Sequence, residues 1–316
     1  MKYLFEKVEN PKTMKESFIE AVEEVFFYND NVAVVLGDIG HFGFKKIWES
    51  GKYSDRYFNI GILEQSMVGF SAGLSKAGLY PLIHTITPFL IERPYEQIKV
   101  DFGLNALSGC FLSVGGAFDY STLGPTHHSY CDLALFSSIP NSYVYSVASF
   151  EELKTLLIHS VMNNQLSYIR MNRNIHNFYI DSDEISTSHL LNGKTITVVS
   201  SGGRLNDVCD VIERFQGDFD ITVDLFQITR IKPLDFSEIK LSILKTRKLL
   251  VVEDNFEIGS VYSKLLSEMK IEEAFKHDSV NIKNVVSGYG TYDELSKVAK
   301  VSNLEISNKL KKLLNI

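Results

Sequence analysis

Short, unbroken apolar runs alternate with amphipathic stretches along almost the whole chain. Val32-Ala-Val-Val-Leu36, the run around 81–87, Cys110-Phe-Leu-Ser-Val114, Tyr143-Val-Tyr-Ser-Val147 and Ser167-Tyr-Ile-Arg170 are rich in β-branched and aromatic residues. Such runs predict parallel strands covered on both faces, which need no polar alternation. Helical periodicity fills the gaps at about 13–28, 63–78, 93–107 and 151–163. The polar interval Asp181-Ser-Asp-Glu-Ile-Ser-Thr-Ser188 then interrupts the pattern. Beyond it come the strands Thr195-Ile-Thr-Val-Val-Ser200, Ile221-Thr-Val-Asp-Leu-Phe226 and Lys248-Leu-Leu-Val-Val-Glu253. Helices are predicted near 204–216, 235–246 and 258–269, and an amphipathic one at 303–314. The expectation is an α/β protein of two domains, 1–185 and 190–316, each a mostly parallel sheet flanked by helices.

Composition narrows the function classes. The 316 residues suit two cores of about 150 residues each. With 45% hydrophobic and 22% charged residues, disorder is excluded as the main state. The 32 Lys and Arg against 39 Asp and Glu give a net charge of −7, which argues against broad nucleic-acid or membrane-surface binding. No apolar run approaches the ~18 residues of a membrane span. The start, Met1-Lys-Tyr-Leu-Phe-Glu-Lys7, is charged too early for a signal peptide. Cys110, Cys131 and Cys209 are odd in number and widely spaced, as thiols in a reducing compartment are. A cytoplasmic protein is expected.

Four segments fall at strand ends, where open α/β sheets bind ligands. In Asn59-Ile-Gly-Ile-Leu-Glu-Gln65, Glu64 is either a carboxylate favoured by a helix dipole or a shielded one suited to hydrogen-bonding a ligand nitrogen. Gly124-Pro-Thr-His-His128 offers two imidazoles, which are proton-transfer groups near neutral pH or simply loop residues. They lack the further ligands of a metal motif. Thr85-Ile-Thr-Pro-Phe-Leu-Ile-Glu-Arg93 brings an aromatic ring and an arginine to a strand end, and Asp38-Ile-Gly40 follows the first strand. Convergence of all four on one sheet edge is what points to a site there.

Together these segments resemble the C-terminal half of a transketolase, as found in split transketolases. The resemblance rests on Asp38-Ile-Gly, Arg56-Tyr-Phe-Asn-Ile-Gly-Ile-Leu-Glu-Gln65, Ser71-Ala-Gly-Leu74, Arg93 with Gln97, Gly124-Pro-Thr-His-His128, Asp132 and Pro140-Asn141. In the second domain it is carried by Gly202, Ile231-Lys-Pro-Leu234, Val252-Glu-Asp-Asn255 and Ile258-Gly259. It implies a thiamine diphosphate pyrimidine-binding domain followed by a transketolase C-terminal domain. Glu64 would hydrogen-bond the aminopyrimidine and promote formation of the ylid that attacks a ketose carbonyl. Phe89 would stack on the pyrimidine, Arg93 would lie beside it, and Asp38 would sit near the thiazolium. His127 would contact substrate oxygens with His128 assisting, and Arg170, beside Arg173, would hold a substrate phosphate or carboxylate. The family's Gly-Asp-Gly segment, which holds the diphosphate and its Mg2+ or Ca2+, has no counterpart; the chain has only Gly37-Asp-Ile and Gly217-Asp-Phe. The resemblance therefore implies an N-terminal partner subunit carrying that half, in an assembly of two copies of each chain.

The substrate side departs from the pattern. Leu123, Gly115, Phe42 and Met14 stand where sugar-phosphate transketolases carry an aspartate, a histidine, a serine and an arginine. The implied reaction is ketol transfer involving an unphosphorylated, differently phosphorylated or nucleotide-linked sugar rather than the ordinary pentose-phosphate pair. Alternatives are a deoxyxylulose-phosphate-synthase-like condensation, a 2-oxo acid dehydrogenase beta-type subunit, and a non-catalytic regulatory subunit of the same fold. Glu253 and Asp254, at a strand end, are expected to be solvated or at a subunit interface.

Overall fold

A computed structural model describes residues 5–7, 13–173, 178–180, 186–269 and 274–316. The heart of the interval expected to part the domains, 181–185, lies outside them. Seven strands form the larger sheet, in the spatial order Arg230–Lys232, Ser142–Ser146, Leu166–Met171, Gly109–Val114, Tyr80–Ile86, Val32–Leu36 and Tyr57–Asn59. All pairs are parallel except the first. Val32–Leu36, Tyr80–Ile86 and Leu166–Met171 are buried at every position, as expected of strands with helices on both faces. Helices Met14–Tyr28 and Phe150–Met162 each start at a capping box, Thr13 with Glu16 and Ser149 with Glu152, which satisfies the free N–H groups of the first turn.

A second sheet has the order Lys276–Ile282, Lys248–Phe256, Ile196–Ser201, Val223–Ile228 and Thr187–Leu191, the last antiparallel. Thr187–Leu191 starts ahead of the predicted second-domain boundary at 190. The C-terminal helix Asn303–Leu314 packs through Ile306, Leu310 and Leu313. No helix among the described residues is long and apolar enough to cross a membrane.

One of the buried clusters joins the two sheets. Val35, Met67, Ile83 and Phe111 of the first belong to one buried cluster with Phe226, Ile228, Ile239 and Val251 of the second. Arg230–Lys232, reached from the second domain, pairs with Ser142–Ser146 of the first. The domains also pack tightly at Gly203, where a Cβ would fall 1.8 Å from the Asn172 amide nitrogen.

At the centre of this junction lies Arg170, expected at the substrate. Its side chain has no exposed surface; Nη1 donates to Asp132 Oδ1 at 3.3 Å and Nη2 donates to Asp254 of the second domain. Asp254 and Glu253 are 3% and 1% exposed, so neither is solvated. Glu253 instead accepts the N–H groups of Val261 and Tyr262 at a helix start. The reason is positional: Arg170 falls inside a strand buried at every residue, so its side chain has to find partners within the protein.

Substituting Arg170→Ala leaves two carboxylates buried without their cation. The expected loss is about 3–5 kcal/mol in urea denaturation; a loss within about 0.5 kcal/mol, the scatter of surface substitutions, would show that the triad is dispensable.

Candidate active site

Glu64 opens the helix Glu64–Lys76, just beyond the strand Tyr57–Asn59. Its carboxylate sits at the positive pole of that helix and is 3% exposed, while Ile62 and Leu63 before it are 68% and 59% exposed. Arg93 Nη1 donates to Glu64 Oε2 at 2.7 Å. The guanidinium carbon of Arg93 lies 4.2 Å from the centre of the Phe89 ring, within cation–π range. Phe89 in turn meets His127 edge-on, with centroids 5.0 Å apart. Glu64, Arg93, Phe89 and His127 thus form one continuous line.

Local backbone chemistry sets this line. Pro88 starts a wide helical turn, Pro88–Glu92, straight after the strand Tyr80–Ile86. Arg93 N–H bonds back to Pro88 C=O at 3.1 Å, and Tyr95–Gln97 and Ile98–Leu104 continue the segment. The regular helix expected at 93–107 is therefore a broken one that begins earlier, because Pro94 has no N–H to continue a ladder. Wide turns of this kind re-aim side chains, here Phe89 and Arg93, and are common at functional sites.

Asp38 follows Val32–Leu36 with φ 68°, a left-handed conformation that aspartate tolerates better than most residues. Its N–H donates to Asn59 Oδ1 at 3.0 Å, and Asn59 Nδ2 donates to Asp38 Oδ1 at 3.2 Å. Asn59 Oδ1 also accepts Gly61 N–H at 3.2 Å. Asn59 thereby ties the Asp38 turn to the one that leads into Glu64, a role that motif and spacing do not assign to it.

The two histidines diverge. His127, in the turn Pro125–His127, is half-buried beside Phe89, with Thr126 Oγ1 3.0 Å from its Nδ1. His128 follows in extended backbone and faces inward. Its ring meets Phe118 edge-on and its Nδ1 lies 2.9 Å from the Tyr130 hydroxyl. Burial holds His128 below the usual imidazole range. His128, expected to assist His127, is thus packed in the core against Phe118 and Tyr130.

Behind the line runs a buried polar network. Thr87 Oγ1 donates to Ser113 Oγ, Ser113 Oγ is 2.7 Å from the Tyr168 hydroxyl, and Tyr168 donates to Asp132 Oδ2. Ser129 Oγ donates to Glu92 Oε1 at 2.6 Å and lies 3.3 Å from Asp132 Oδ1. Burial raises the Glu92 carboxyl, against the opposing effect of the Ser129 bond. Gly124 has φ 81°, and a Cβ there would lie 2.2 Å from the Tyr289 ring of the second domain.

A cleft of about 470 Å³ opens past Tyr120, whose ring centre lies 6.3 Å from that of His127. Lys15, Phe18, Ile39, His84, Tyr120 and Arg173 are in its wall. Arg173, past the end of strand Leu166–Met171, is exposed, with its guanidinium carbon 4.6 Å from the centre of the Tyr120 ring. The rule that ligands bind beyond strand ends would have selected Arg173 over Arg170 from the sequence. A larger recess of about 670 Å³ lies along 283–300 of the second domain and touches this region through Tyr289.

A carboxylate, an aromatic face and a half-buried imidazole in line suit a flat, nitrogen-bearing ring. Among the described residues no three His, Cys, Asp or Glu converge as a metal-holding group.

Fold and site together define a two-domain α/β protein with a run of contacts from carboxylate to guanidinium, aromatic ring and imidazole at the carboxyl edge of a parallel sheet. Comparison with known sequences agrees. Residues 10–177 match the family described as transketolase, pyrimidine binding domain, and residues 187–303 that described as transketolase, C-terminal domain. The chain belongs to the transketolase family. It is 26% identical over 224 residues to one subunit of the apulose-4-phosphate transketolase of Actinobacillus succinogenes, covering 69% of this chain and 72% of that one. It is 29% identical over 243 residues to 1-deoxy-D-xylulose-5-phosphate synthase of Syntrophomonas wolfei, covering 74% of this chain but 37% of the other. In fold it is similar to a solved structure of a split-gene transketolase described as an inactive beta4 tetramer, with a TM-score of 0.82, 21% identity, and 97% and 99% of the two chains covered.

The site also carries a pH signature. Asp119 is half-buried, its Oδ2 accepts Arg173 N–H at 2.8 Å, and burial pushes its carboxyl up to about 7. Asp254 raises it further, and Arg170 and Arg173 oppose the shift. The folded protein keeps a proton here that the unfolded chain releases near the ordinary aspartate value. The contribution of Asp119 to stability is therefore full below about pH 4 and falls as pH rises toward about 7. Asp119→Asn should remove that fall, measured as the difference between variant and parent melting temperatures from pH 4 to 8. A difference that is flat across this range would refute the assignment.

Proposed function

We propose that this chain is the C-terminal subunit of a two-subunit, thiamine-diphosphate-dependent transketolase-like enzyme that moves a ketol unit between sugars in the cytoplasm. The observation that carries the reading is the line Glu64–Arg93–Phe89–His127, with 2.7 Å, 4.2 Å and 5.0 Å between successive groups. Thiamine diphosphate, when bound, supplies the electron sink that lets a ketose carbon–carbon bond break. Glu64, its carboxylate fixed by Arg93, would hold a hydrogen bond to a ring nitrogen of that group, and Phe89 would offer it an aromatic face. His127 holds or passes a proton at a substrate oxygen. Asp38, locked by Asn59, lies at the neighbouring strand end.

Several features support a partner chain that carries the diphosphate and its Mg2+ or Ca2+. The sequence has no Gly-Asp-Gly segment. Exposed Ile62 and Leu63 beside a buried catalytic carboxylate form a surface suited to cover by another chain. The Actinobacillus relative is itself named as a single subunit of its transketolase. Two copies of each chain would complete the assembly.

Substrates outside the ordinary pentose phosphates are favoured by the apolar replacements. Met14 is 1% exposed, Phe42 and Leu123 face solvent, and a Cβ at Gly115 would fall 2.3 Å from the Tyr120 ring. A second reading, condensation starting from pyruvate, is favoured by the synthase relative. Carbon dioxide release from pyruvate separates the two.

Calorimetric titration of thiamine diphosphate with a magnesium salt, on this chain and on its mixture with the partner, should give tight binding only in the mixture. Tight binding to the isolated chain would overturn the split site. Glu64→Ala should leave assembly intact and lower turnover by at least ~10²-fold, the usual scale of lost acid–base assistance. Unchanged turnover would favour a non-catalytic role.

A further inference from the structure

His127 is carried by the loop 117–129, whose two ends bond each other. Ala117 N–H donates to Ser129 C=O at 2.8 Å, and Ser129 N–H donates to Ala117 C=O at 3.3 Å. Between them the N–H groups of Ser121, Leu123 and Gly124 donate to Phe118, Tyr120 and Ser121 C=O, and His127 N–H donates to Gly124 C=O at 3.0 Å. Bonds within a loop set its shape. Its place over the sheet has to come from packing.

Tyr120 pins one arm to the first domain, its ring filling the space beside Gly115. The base of the loop rests on the second domain. Tyr292 meets Phe118 edge-on with centroids 6.3 Å apart, the Phe256 ring lies 5.1 Å from that of Tyr130, and Phe256 N–H donates to Tyr130 C=O at 2.8 Å. At the tip stands Tyr289. A Cβ on Gly124 would fall 2.2, 2.6 and 2.8 Å from its Cε1, Cζ and Cδ1, so the ring lies directly on the Gly124 backbone. Gly124 is buried there, although Tyr289 itself is 73% exposed. The ring is a cover over the glycine. Gly124 also has φ 81° and ψ −171°, a combination open essentially to glycine alone. Its neighbours Leu123 and Thr126 face solvent and give the tip no anchor. Tyr289 is steadied from behind, since the helix Tyr292–Val298 that follows it starts at a capping box of Thr291 with Glu294.

We propose that Tyr289 of the second domain is a positioning residue for His127. Its ring fixes the height of Gly124, and the bond from His127 N–H to Gly124 C=O passes that position on to the imidazole that meets Phe89. The contact is made by ring carbons, so the hydroxyl is dispensable. What His127 does rests on the ketol-transfer reading; where it is held does not. The second domain, which contributes no group to the line from Glu64 to His127, thereby sets one end of it.

Two measurements test this. In the full chain without partner or cofactor, Tyr289→Ala should speed amide exchange at His127 at least ~10-fold, as a local opening does, with exchange at Val35 and Val251 in the buried strands unchanged. Tyr289→Phe should match the parent protein. Gly124→Ala, which disturbs the same contact from the other side, should also speed exchange at His127 and gives the reading if Tyr289→Ala does not fold. In the complex with the partner chain, Tyr289→Ala should lower kcat/KM at least ~10-fold, within the ~10²-fold that misplacing a group by about 1 Å costs, and Tyr289→Phe should restore it. In a His127→Ala background the loss should vanish, because its route to the reaction is gone. Unchanged exchange at His127 in Tyr289→Ala, an equal effect of Tyr289→Phe, or a full loss in the His127→Ala background would overturn the proposal. A parent complex that transfers no ketol unit from any ketose rejects the ketol-transfer reading instead, and the exchange rates then decide the role of Tyr289.

Discussion

A guanidinium with no exposed surface, held between carboxylates from two domains, is the constraint around which the rest is arranged. Arg170 cannot be hydrated where it lies, so Asp132 and Asp254 have to stay within reach of it. Asp132 is committed in turn to Tyr168, and through Ser113 to Thr87, the residue ahead of the turn that carries Phe89. Ser129 sits beside the same carboxylate and bonds Glu92, joining the histidine segment to the turn that ends at Arg93. One set of hydrogen bonds therefore links the junction with the second domain to the turn that carries Phe89 and Arg93.

The division of labour at the sheet edge follows from depth. Side chains inside the strands are enclosed and serve the junction, whereas those one or two positions past a strand end can meet a ligand. Arg170 and Arg173 illustrate this within four residues, as do inward-facing His128 and half-buried His127. Exposed apolar groups beside Glu64 and within the cleft add a second theme. Ile39, Ile62 and Leu63 leave apolar surface open to solvent along this edge.

Much of the fold is legible in the sequence because its central strands are buried on both faces and so appear as unbroken apolar runs. Val32–Leu36, Gly109–Val114 and Ile196–Ser201 fall within a residue or so of where periodicity puts them. Strands at sheet edges escape the same reading. Tyr57–Asn59 and Arg230–Lys232 are short and only partly covered, and Lys276–Ile282 begins with polar, exposed residues. In the site, Glu64, Arg93, Phe89 and His127, from three separate stretches of sequence, are in contact one with the next. Arg170 and His128 do not reach it, since motif position says nothing about which way a side chain turns from a strand or an extended segment. Asn59 and Tyr289 act through contacts distant in sequence, which neither composition nor spacing reveals.

The short strand Arg230–Lys232 belongs to the second domain by sequence and to the first sheet by pairing. Thr229 reinforces it, its carbonyl accepting Ser146 N–H at 2.8 Å and its hydroxyl donating to Glu152. Detaching the second domain would strip a strand from the first and leave Ser142–Ser146 as a raw edge, open to pairing with other chains. The two halves are therefore units of sequence rather than of stability. A cut through the linker would part residues that share a buried cluster and a sheet.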